Sequence, residues 1–273
     1  MYTQSMNHRP AMTHDQIARY APSVFAQQPH DGVSDKYRFI PTFEILKTLE
    51  SQGWQCVQAG EHNVRLASKK GFQKHMLRFR NPSLPKIADS EVDLVLYNSH
   101  DRTTGFKFAA GVYRFVCANG LMAGENLFQP VSVKHIGYQA NDAIEASYRI
   151  IESVPQITQS IESMQQIPLL KEERVFLAQA AMTAKYGEDA GKFRPESALV
   201  VRRTADAMPT LWNTFNVIQE NLIKGGVSTY RLGTNGQPVA RMKTRGVSSI
   251  TENSKLNMAL WTLAEAMKST KVA

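Results

Sequence analysis

The spacing of apolar residues changes near residue 139, and this change limits what the 273-residue chain can fold into. Before it, Val92, Leu94 and Leu96 alternate with Asp93, Val95 and Tyr97, which is typical of a strand. After it, apolar residues recur at helical spacing. The sequence therefore predicts an α+β fold, with an N-terminal helix plus antiparallel β-meander module followed by a mainly helical C-terminal region.

The same pattern divides the chain into three segments. Residues 1–34 are rich in Gln and Pro and are expected to form a loosely ordered arm. Residues 35–138 form the strand-rich module, which begins with a helix at Thr42–Gln52 that stops at Gly53. Residues 139–273 form the mainly helical region, which is expected to pack on that module.

Within the helical region, Asn141–Met164 has a long helical pattern that Pro155 should kink or divide. The helix Trp212–Lys224 carries a Trp and a Phe that would be exposed without a packing partner, so it is expected to pack against another part of the chain. Residues 227–250 are rich in Gly, Ser and Thr and carry four positive charges, and they are predicted to form an exposed, mobile loop.

Charge is unevenly distributed along the chain, whose formal net charge is +8. Residues 62–138 carry 11 Lys and Arg against 5 Asp and Glu, and residues 194–273 carry the same numbers. The intervening residues 139–193 carry 5 against 8. Two basic blocks separated by an acidic one favour an anionic partner such as nucleic acid.

Residue types that perform chemistry do not form recognisable catalytic motifs. The seven histidines include no pair at helical spacing, and Cys56 and Cys117 cannot hold a metal ion alone, so neither a metal site nor a cofactor is predicted. No nucleophile elbow or phosphate-binding loop is present. The sequence therefore predicts no enzyme active site.

One acidic cluster leaves two interpretations open. Asp89, Glu91 and Asp93 would share one face of a strand and could bind Mg²⁺ for phosphodiester cleavage. Such a nuclease would also need a lysine two residues after a carboxylate on a neighbouring strand, and that arrangement is not apparent. A solvated strand face explains the same spacing. A metal-dependent nuclease is therefore the less favoured alternative.

The remaining candidate site is electrostatic. Arg78 and Arg80 share a strand face that Lys107 of an adjacent segment could extend, and aromatic residues lie between these cations. Such alternation suits single-stranded nucleic acid, in which phosphates meet cations and bases stack on rings. Aromatic residues facing the core and cations facing water would give the same pattern. In the second block the candidates are Arg202, Arg203, Arg241 and Arg245, for which a solvated loop is the alternative interpretation.

Three stretches carry a family resemblance: Gly105–Leu121, the sequence Leu-Trp-Asn-Thr-Phe-Asn-Val-Ile-Gln-Glu-Asn-Leu within Thr210–Gly226, and Asn257–Trp261. Together they resemble a family of uncharacterised bacterial proteins encoded by prophages and plasmids and known only as a domain of unknown function. The resemblance covers about residues 35–268. It implies no established activity and no functional residues.

A second resemblance involves Leu46–Gln55, where a helix is followed by Gly53-Trp54 and then by strands. This order is similar to that of single-strand-annealing recombination proteins of phages and of the eukaryotic recombination mediator. Gln52 stands where those proteins usually have Asn. The resemblance implies homo-oligomerisation.

The leading functional hypothesis is a nucleic-acid-binding accessory protein of a mobile element, preferring single-stranded DNA and acting in recombination or replication. The alternative is a host-protein interaction module that does not bind nucleic acid. Two cysteines without a disulfide framework, and a start without a secretory pattern, predict a cytoplasmic protein with no membrane partner.

Overall fold

The protein has an α+β fold, seen in a computed structural model that describes residues 10–34, 37–86, 90–114, 120–122, 131–133 and 140–272. The helices are α1 (His14–Tyr20), α2 (Thr42–Ser51), α3 (Ala140–Gln166), α4 (Lys171–Tyr186), α5 (Leu211–Lys224) and α6 (Ile250–Val272). The strands are β1 (Gln55–Glu61), β2 (His75–Arg80), β3 (Ser90–Asn98), β4 (Phe106–Arg114), β5 (Gly120–Met122), β6 (Val131–Val133), β7 (Ser228–Leu232) and β8 (Pro238–Lys243). The predicted meander and the helical region after it are both confirmed.

Over the residues that the structure describes, the chain divides into two compact units, the first ending at Val154 and the second beginning at Pro155. This boundary lies inside α3, later in the chain than the division expected at residues 138 and 139. Pro155 does not divide the helix, which continues to Gln166. A proline removes one backbone hydrogen bond, whereas the turns on either side keep theirs.

The first unit contains an antiparallel sheet in the order β1-β2-β3-β4-β5, with β6 also pairing with β4. In this register Leu77 lies opposite Leu96 and Leu96 opposite Phe108. Because paired residues share a face and side chains alternate along a strand, these residues define an apolar face and Arg78 lies on the other. The apolar face forms the buried core of the unit with Ile17, Ile45, Leu46 and Leu49 of α1 and α2.

Residues 10–34 are folded, unlike the loosely ordered arm expected for residues 1–34, of which 1–9 lie outside the described residues. Thr13 and Gln16 form a capping box at the start of α1, and Ile17 is fully buried. The backbone N–H of Met12 donates to the carbonyl of Cys56 at 2.7 Å. The polar composition of this segment did not indicate a folded helix, because a few apolar side chains are enough to fix a short helix on a sheet.

A buried polar network joins this segment to the sheet. His75 on β2 lies 3.0 Å by Nδ1 from the Ser23 hydroxyl and 2.8 Å by Nε2 from the Thr42 hydroxyl. The Ser23 hydroxyl donates to Oε2 of Glu61 at 2.7 Å. Burial lowers the pKa of His75 to about 4, so the imidazole is neutral near pH 7. Ser23, Thr42 and His75 are all fully buried, whereas Glu61 at the edge of the network is partly exposed.

The second unit has its core around α5. Trp212 stacks on Phe215 with ring centroids 5.8 Å apart, and Phe215 meets Trp261 of α6 edge to face at 6.3 Å. All three side chains are buried. The prediction that this helix packs against another part of the chain is therefore confirmed.

The prediction of an exposed, mobile loop at residues 227–250 is wrong over much of that segment, because β7 and β8 pair as an antiparallel hairpin. Its turn holds Asn235-Gly236, with Gly236 at a φ of +73° that favours glycine. Few apolar residues mark the strands because the hairpin is solvated along most of β8.

Among the described residues, no helix combines the length and the apolar composition needed to cross a bilayer.

Candidate nucleic-acid interface

The first predicted basic group lies on the polar face of the sheet, where its two arginines are buried. Nε of Arg78 lies 2.7 Å from Oδ2 of Asp93, and Nε of Arg80 lies 2.5 Å from Oε2 of Glu91. Arg80 also donates to Asp93 at 3.2 Å, and Arg78 donates to the Gln58 side chain at 3.1 Å. Arg78 and Arg80 are therefore engaged within the sheet, and in this conformation neither presents its charge to solvent.

Burial raises the pKa of Asp93, and the neighbouring guanidinium groups of Arg78 and Arg80 oppose that rise. Asp93 thus has Arg78 as a charge partner, and Glu91 has Arg80. The nuclease alternative placed a metal ion on Asp89, Glu91 and Asp93. Glu91 and Asp93 are engaged by arginine, Asp89 lies outside the described residues, and the described part of the chain holds no cluster of three metal-binding side chains.

Lys107 shares the polar face with Arg78 and Arg80, as the sequence suggested. Tyr97 pairs with Lys107, and Val95 on the same side of β3 pairs with Arg78. Lys107 itself is exposed. The aromatic residues Phe79, Phe106 and Phe108 are fully buried on the opposite face, so they contribute to the core and not to a base-stacking surface. Phe115, another of the aromatic residues that the sequence places among these cations, lies outside the described residues.

A small cavity lies beside this ion-pair cluster. It measures about 170 Å³ and is lined by Arg80, Glu91 and the loop from Asn81 to Lys86. This volume lies below the roughly 300–1,000 Å³ of typical small-molecule sites, so the cavity does not suit a nucleotide.

In the second unit, Arg202 and Arg203 are also engaged by other parts of the chain, although Arg202 is exposed and Arg203 is only partly buried. Arg202 donates to the side chain of Asn221 at 2.8 Å and to the carbonyl of Gly225 at 2.7 Å. Arg203 pairs with Asp206 at 3.2 Å and with Glu220. Glu220 keeps a lowered pKa because the bonds from Arg203 and Lys224 outweigh its burial. Arg202 and Arg203 therefore hold the segment before α5 against that helix.

The cations of the hairpin region are placed differently. Arg231, Arg241, Lys243 and Arg245 are all exposed, and within the described ranges none of them makes an ion pair or a side-chain hydrogen bond. Residues 227–249 contain no Asp or Glu. The Coulomb field of these four side chains is therefore not cancelled by acidic residues of the hairpin itself.

The register gives the hairpin one outward face. Tyr230 pairs with Arg241 and Ser228 with Lys243, whereas the intervening pair of Thr229 and Met242 points the other way. Thr229 is buried, and Tyr230 is 42% exposed. The outward face thus presents an aromatic ring with two cations on the neighbouring strand.

A third cation reaches this face from outside the hairpin. The guanidinium carbon of Arg194 lies 5.4 Å from the ring centroid of Tyr230, within the range of a cation–π contact. We refer to Arg194, Tyr230, Arg241 and Lys243 together as the hairpin face. The helical turn Gly187–Lys192 contacts β7 and brings two acidic residues, Glu188 and Asp189, near the hairpin. Asp189 is paired with Lys192.

The hairpin is attached firmly at its base. Nζ of Lys185 donates at 2.6 Å to the carbonyls of both Leu222 and Arg245. Burial lowers the pKa of Lys185 to about 8. Gly226 donates to the carbonyl of Thr244 at 2.8 Å, closing the strands where they leave α5.

Of the seven residues predicted to bind nucleic acid, Arg241 and Arg245 lie in or beside an exposed basic surface and Lys107 is exposed on the sheet. The sequence did not assign Arg194 or Tyr230. Arg194 is distant in sequence from the hairpin, and a single Tyr in a segment interpreted as a loop carries no periodicity. A strand interpretation of residues 228–243 would have placed Tyr230 among the basic residues.

The chain belongs to the DUF932 family, a domain of unknown function, which matches residues 29–261. It is 37% identical over 257 residues to the UPF0380 protein YafZ of Escherichia coli strain K12 and 36% identical over 257 residues to the UPF0380 protein YfjQ of the same strain. Each match covers 94% of this chain and 91% of the relative. No solved structure matches the chain significantly. The expected uncharacterised family is thus confirmed, and these matches lend no support to the resemblance to annealing proteins.

Proposed function

We propose that this protein is a nucleic-acid-binding accessory protein of a mobile element, prefers single strands, and acts in recombination or replication. The observation that carries the binding proposal is the set of exposed cations at Arg231, Arg241, Lys243 and Arg245, which have no acidic partner among the described residues and lie in a segment without acidic residues. Phosphate groups are the anions that such a repeated set of cations suits. The role in recombination or replication rests on sequence resemblance alone.

The mechanism is charge neutralisation. Lysine and arginine side chains replace the counterions condensed along the phosphate backbone, and the release of those counterions favours binding. Lys107, which is exposed on the first unit, remains a separate candidate for a phosphate contact. We assign Arg78, Arg80, Arg202 and Arg203 a different role, since their internal bonds hold the sheet face and the segment before α5.

The test is a fluorescence-anisotropy titration of labelled single- and double-stranded oligonucleotides at two salt concentrations. We expect binding that is tighter for the single strand and weakens steeply with salt. Absence of binding to either strand type at low salt would overturn the proposal. The protein-interaction alternative would then be tested by pulldown of one dominant host protein.

A further inference from the structure

We propose that Tyr230 is a stacking site for an unpaired base, with Arg241 and Lys243 binding the flanking phosphates and Arg194 holding the ring. This inference rests on the proposed function and deepens it, because it names the part of the nucleic acid that the hairpin face recognises. It also gives a structural reason for a single-strand preference.

The first argument is the placement of an aromatic ring in solvent on an anchored strand. Tyr230 is 42% exposed, although its neighbour Thr229 is buried and its strand is paired along its length. A Tyr side chain has two χ angles, so it offers a large flat surface at little conformational cost. The position is that of a contact residue and not of a core residue.

The second argument is the way in which the ring is held. The Arg194 guanidinium lies over the ring at 5.4 Å and, being cationic, orients it through the ring quadrupole. A cation covers one face, and the exposed fraction of Tyr230 leaves ring surface for a second planar partner. A nucleobase is such a partner, and an adjacent cation also favours the phosphate that a base brings with it.

The third argument is spacing. Arg241 lies directly across from Tyr230, so their Cβ atoms are about 5 Å apart. Lys243 lies two residues beyond Arg241 on the same side of β8, about 7 Å from it. A base on Tyr230 therefore brings its backbone to the cations of the neighbouring strand, with room for contacts to two different phosphates.

Stacking on Tyr230 discriminates between strand types. In a duplex the faces of each base are already covered by its neighbours, so the ring could engage a base only by unstacking it. In a single strand the base faces are accessible. Because every base has a flat π-face, the site accepts all four bases. Hydrogen bonds to base edges play no part in this proposal.

The experiment compares oligothymidylate of about 20 nucleotides, long enough to span the site sizes of stacking proteins, with an abasic strand of equal length. Tyr230→Leu removes the ring at similar volume, and Tyr230→Phe keeps it. We expect Tyr230→Leu to bind oligothymidylate about tenfold more weakly, within the range measured for loss of one stacked base. Tyr230→Phe should bind like the parent protein. On the abasic strand and on a duplex, all three should bind alike.

Tyr20→Leu is the matched control, since Tyr20 is 60% exposed on α1 and is expected to leave binding unchanged. Thermal unfolding of each variant checks that it is folded. If Tyr230→Leu does not fold, the affinities of the parent protein for the two strands test the proposal. The proposal requires the parent protein to bind oligothymidylate more tightly than the abasic strand.

Two negative results have different meanings. Salt-dependent binding that Tyr230→Leu leaves unchanged, or weakens equally on the abasic strand, would overturn the stacking site and leave the proposed function standing. Absence of binding to every oligonucleotide by the parent protein would overturn both.

Discussion

Nε of Arg78 lies 2.7 Å from Oδ2 of Asp93 on the neighbouring strand, with the arginine side chain 3% exposed and the carboxylate fully buried. Each group balances the charge that the other carries into the interior of the sheet. Removing one partner leaves an uncompensated charge there, which is the costly case for a buried pair.

The first prediction follows from that pair. Asp93→Ala should lower the free energy of unfolding by roughly 3–5 kcal/mol, because Arg78 and Arg80 both lose a buried carboxylate. Urea denaturation followed by circular dichroism measures it. Glu44→Ala is the control. It breaks an exposed pair with Lys47 and should cost no more than about 1 kcal/mol. Equal small losses in the two variants would contradict the charge balance described here.

The second prediction concerns pH. His75 has a pKa of about 4 in the folded protein and an ordinary value near 6.5 when unfolded, so the unfolded state binds the proton first as pH falls. The free energy of unfolding should therefore decrease between about pH 6.5 and 4, by about 3 kcal/mol from this group. Urea midpoints measured across that window test it.

His75→Gln removes this contribution, so its stability should depend less on pH over the same window. His62→Gln, at an exposed position, should retain the full dependence. If His75→Gln and the parent protein lose stability in parallel, another group causes the acid sensitivity.

The third prediction distinguishes two adjacent glycines that both have positive φ. A Cβ on Gly225 would lie 2.5 Å from the carbonyl carbon of Arg245 and 2.8 Å from the carbonyl oxygen of Thr244, whereas one on Gly226 would have nothing within 4 Å. Gly226→Ala should cost roughly 1–2 kcal/mol from backbone strain alone. Gly225→Ala should cost about 1–3 kcal/mol more, because backbone must move. Thermal unfolding midpoints compare them, and equal midpoints would argue against the close approach.

The fourth prediction concerns the cations of the hairpin face. Replacing both Arg241 and Lys243 by Ala should lower the slope of log affinity against log salt by about 1.4 for single-stranded DNA, or about 0.7 for each phosphate that is no longer neutralised. Anisotropy titrations at several salt concentrations measure that slope. The control removes the same charge from exposed positions on α1 and α2, through Arg19→Ala with Lys47→Ala, and should leave the slope unchanged. An equal decrease of the slope in the two double variants would mean that net charge alone drives binding.

The sheet and its orientation could be predicted because Val92, Leu94 and Leu96 alternate, and a period of two fixes which side faces the core. The burial of Arg78 and Arg80 could not. An alternating cation looks the same whether it faces water or a carboxylate, and the partners lie on a different strand. Once the strands pair, Arg78 meets Asp93 and the same residues that suggested phosphate binding become part of the interior.

The hairpin was missed for the opposite reason. Its strands are exposed on most positions, so they lack the apolar alternation that marks a half-buried strand. Asn235-Gly236 was the available local indication of a turn between two strands. The contact of Arg194 with Tyr230 joins residues far apart in the chain, and only the folded structure brings them together.

Lys185 binds the carbonyls of both Leu222 and Arg245, and so fixes the hairpin to the end of α5 before any ligand arrives. A surface assembled in advance loses little conformational entropy on binding, and more of each contact then appears as affinity. A flexible basic loop of the same composition would have to become ordered at every binding event. Under the proposed function, the anchored hairpin would therefore meet phosphate groups without first losing the conformational entropy that such a loop would lose.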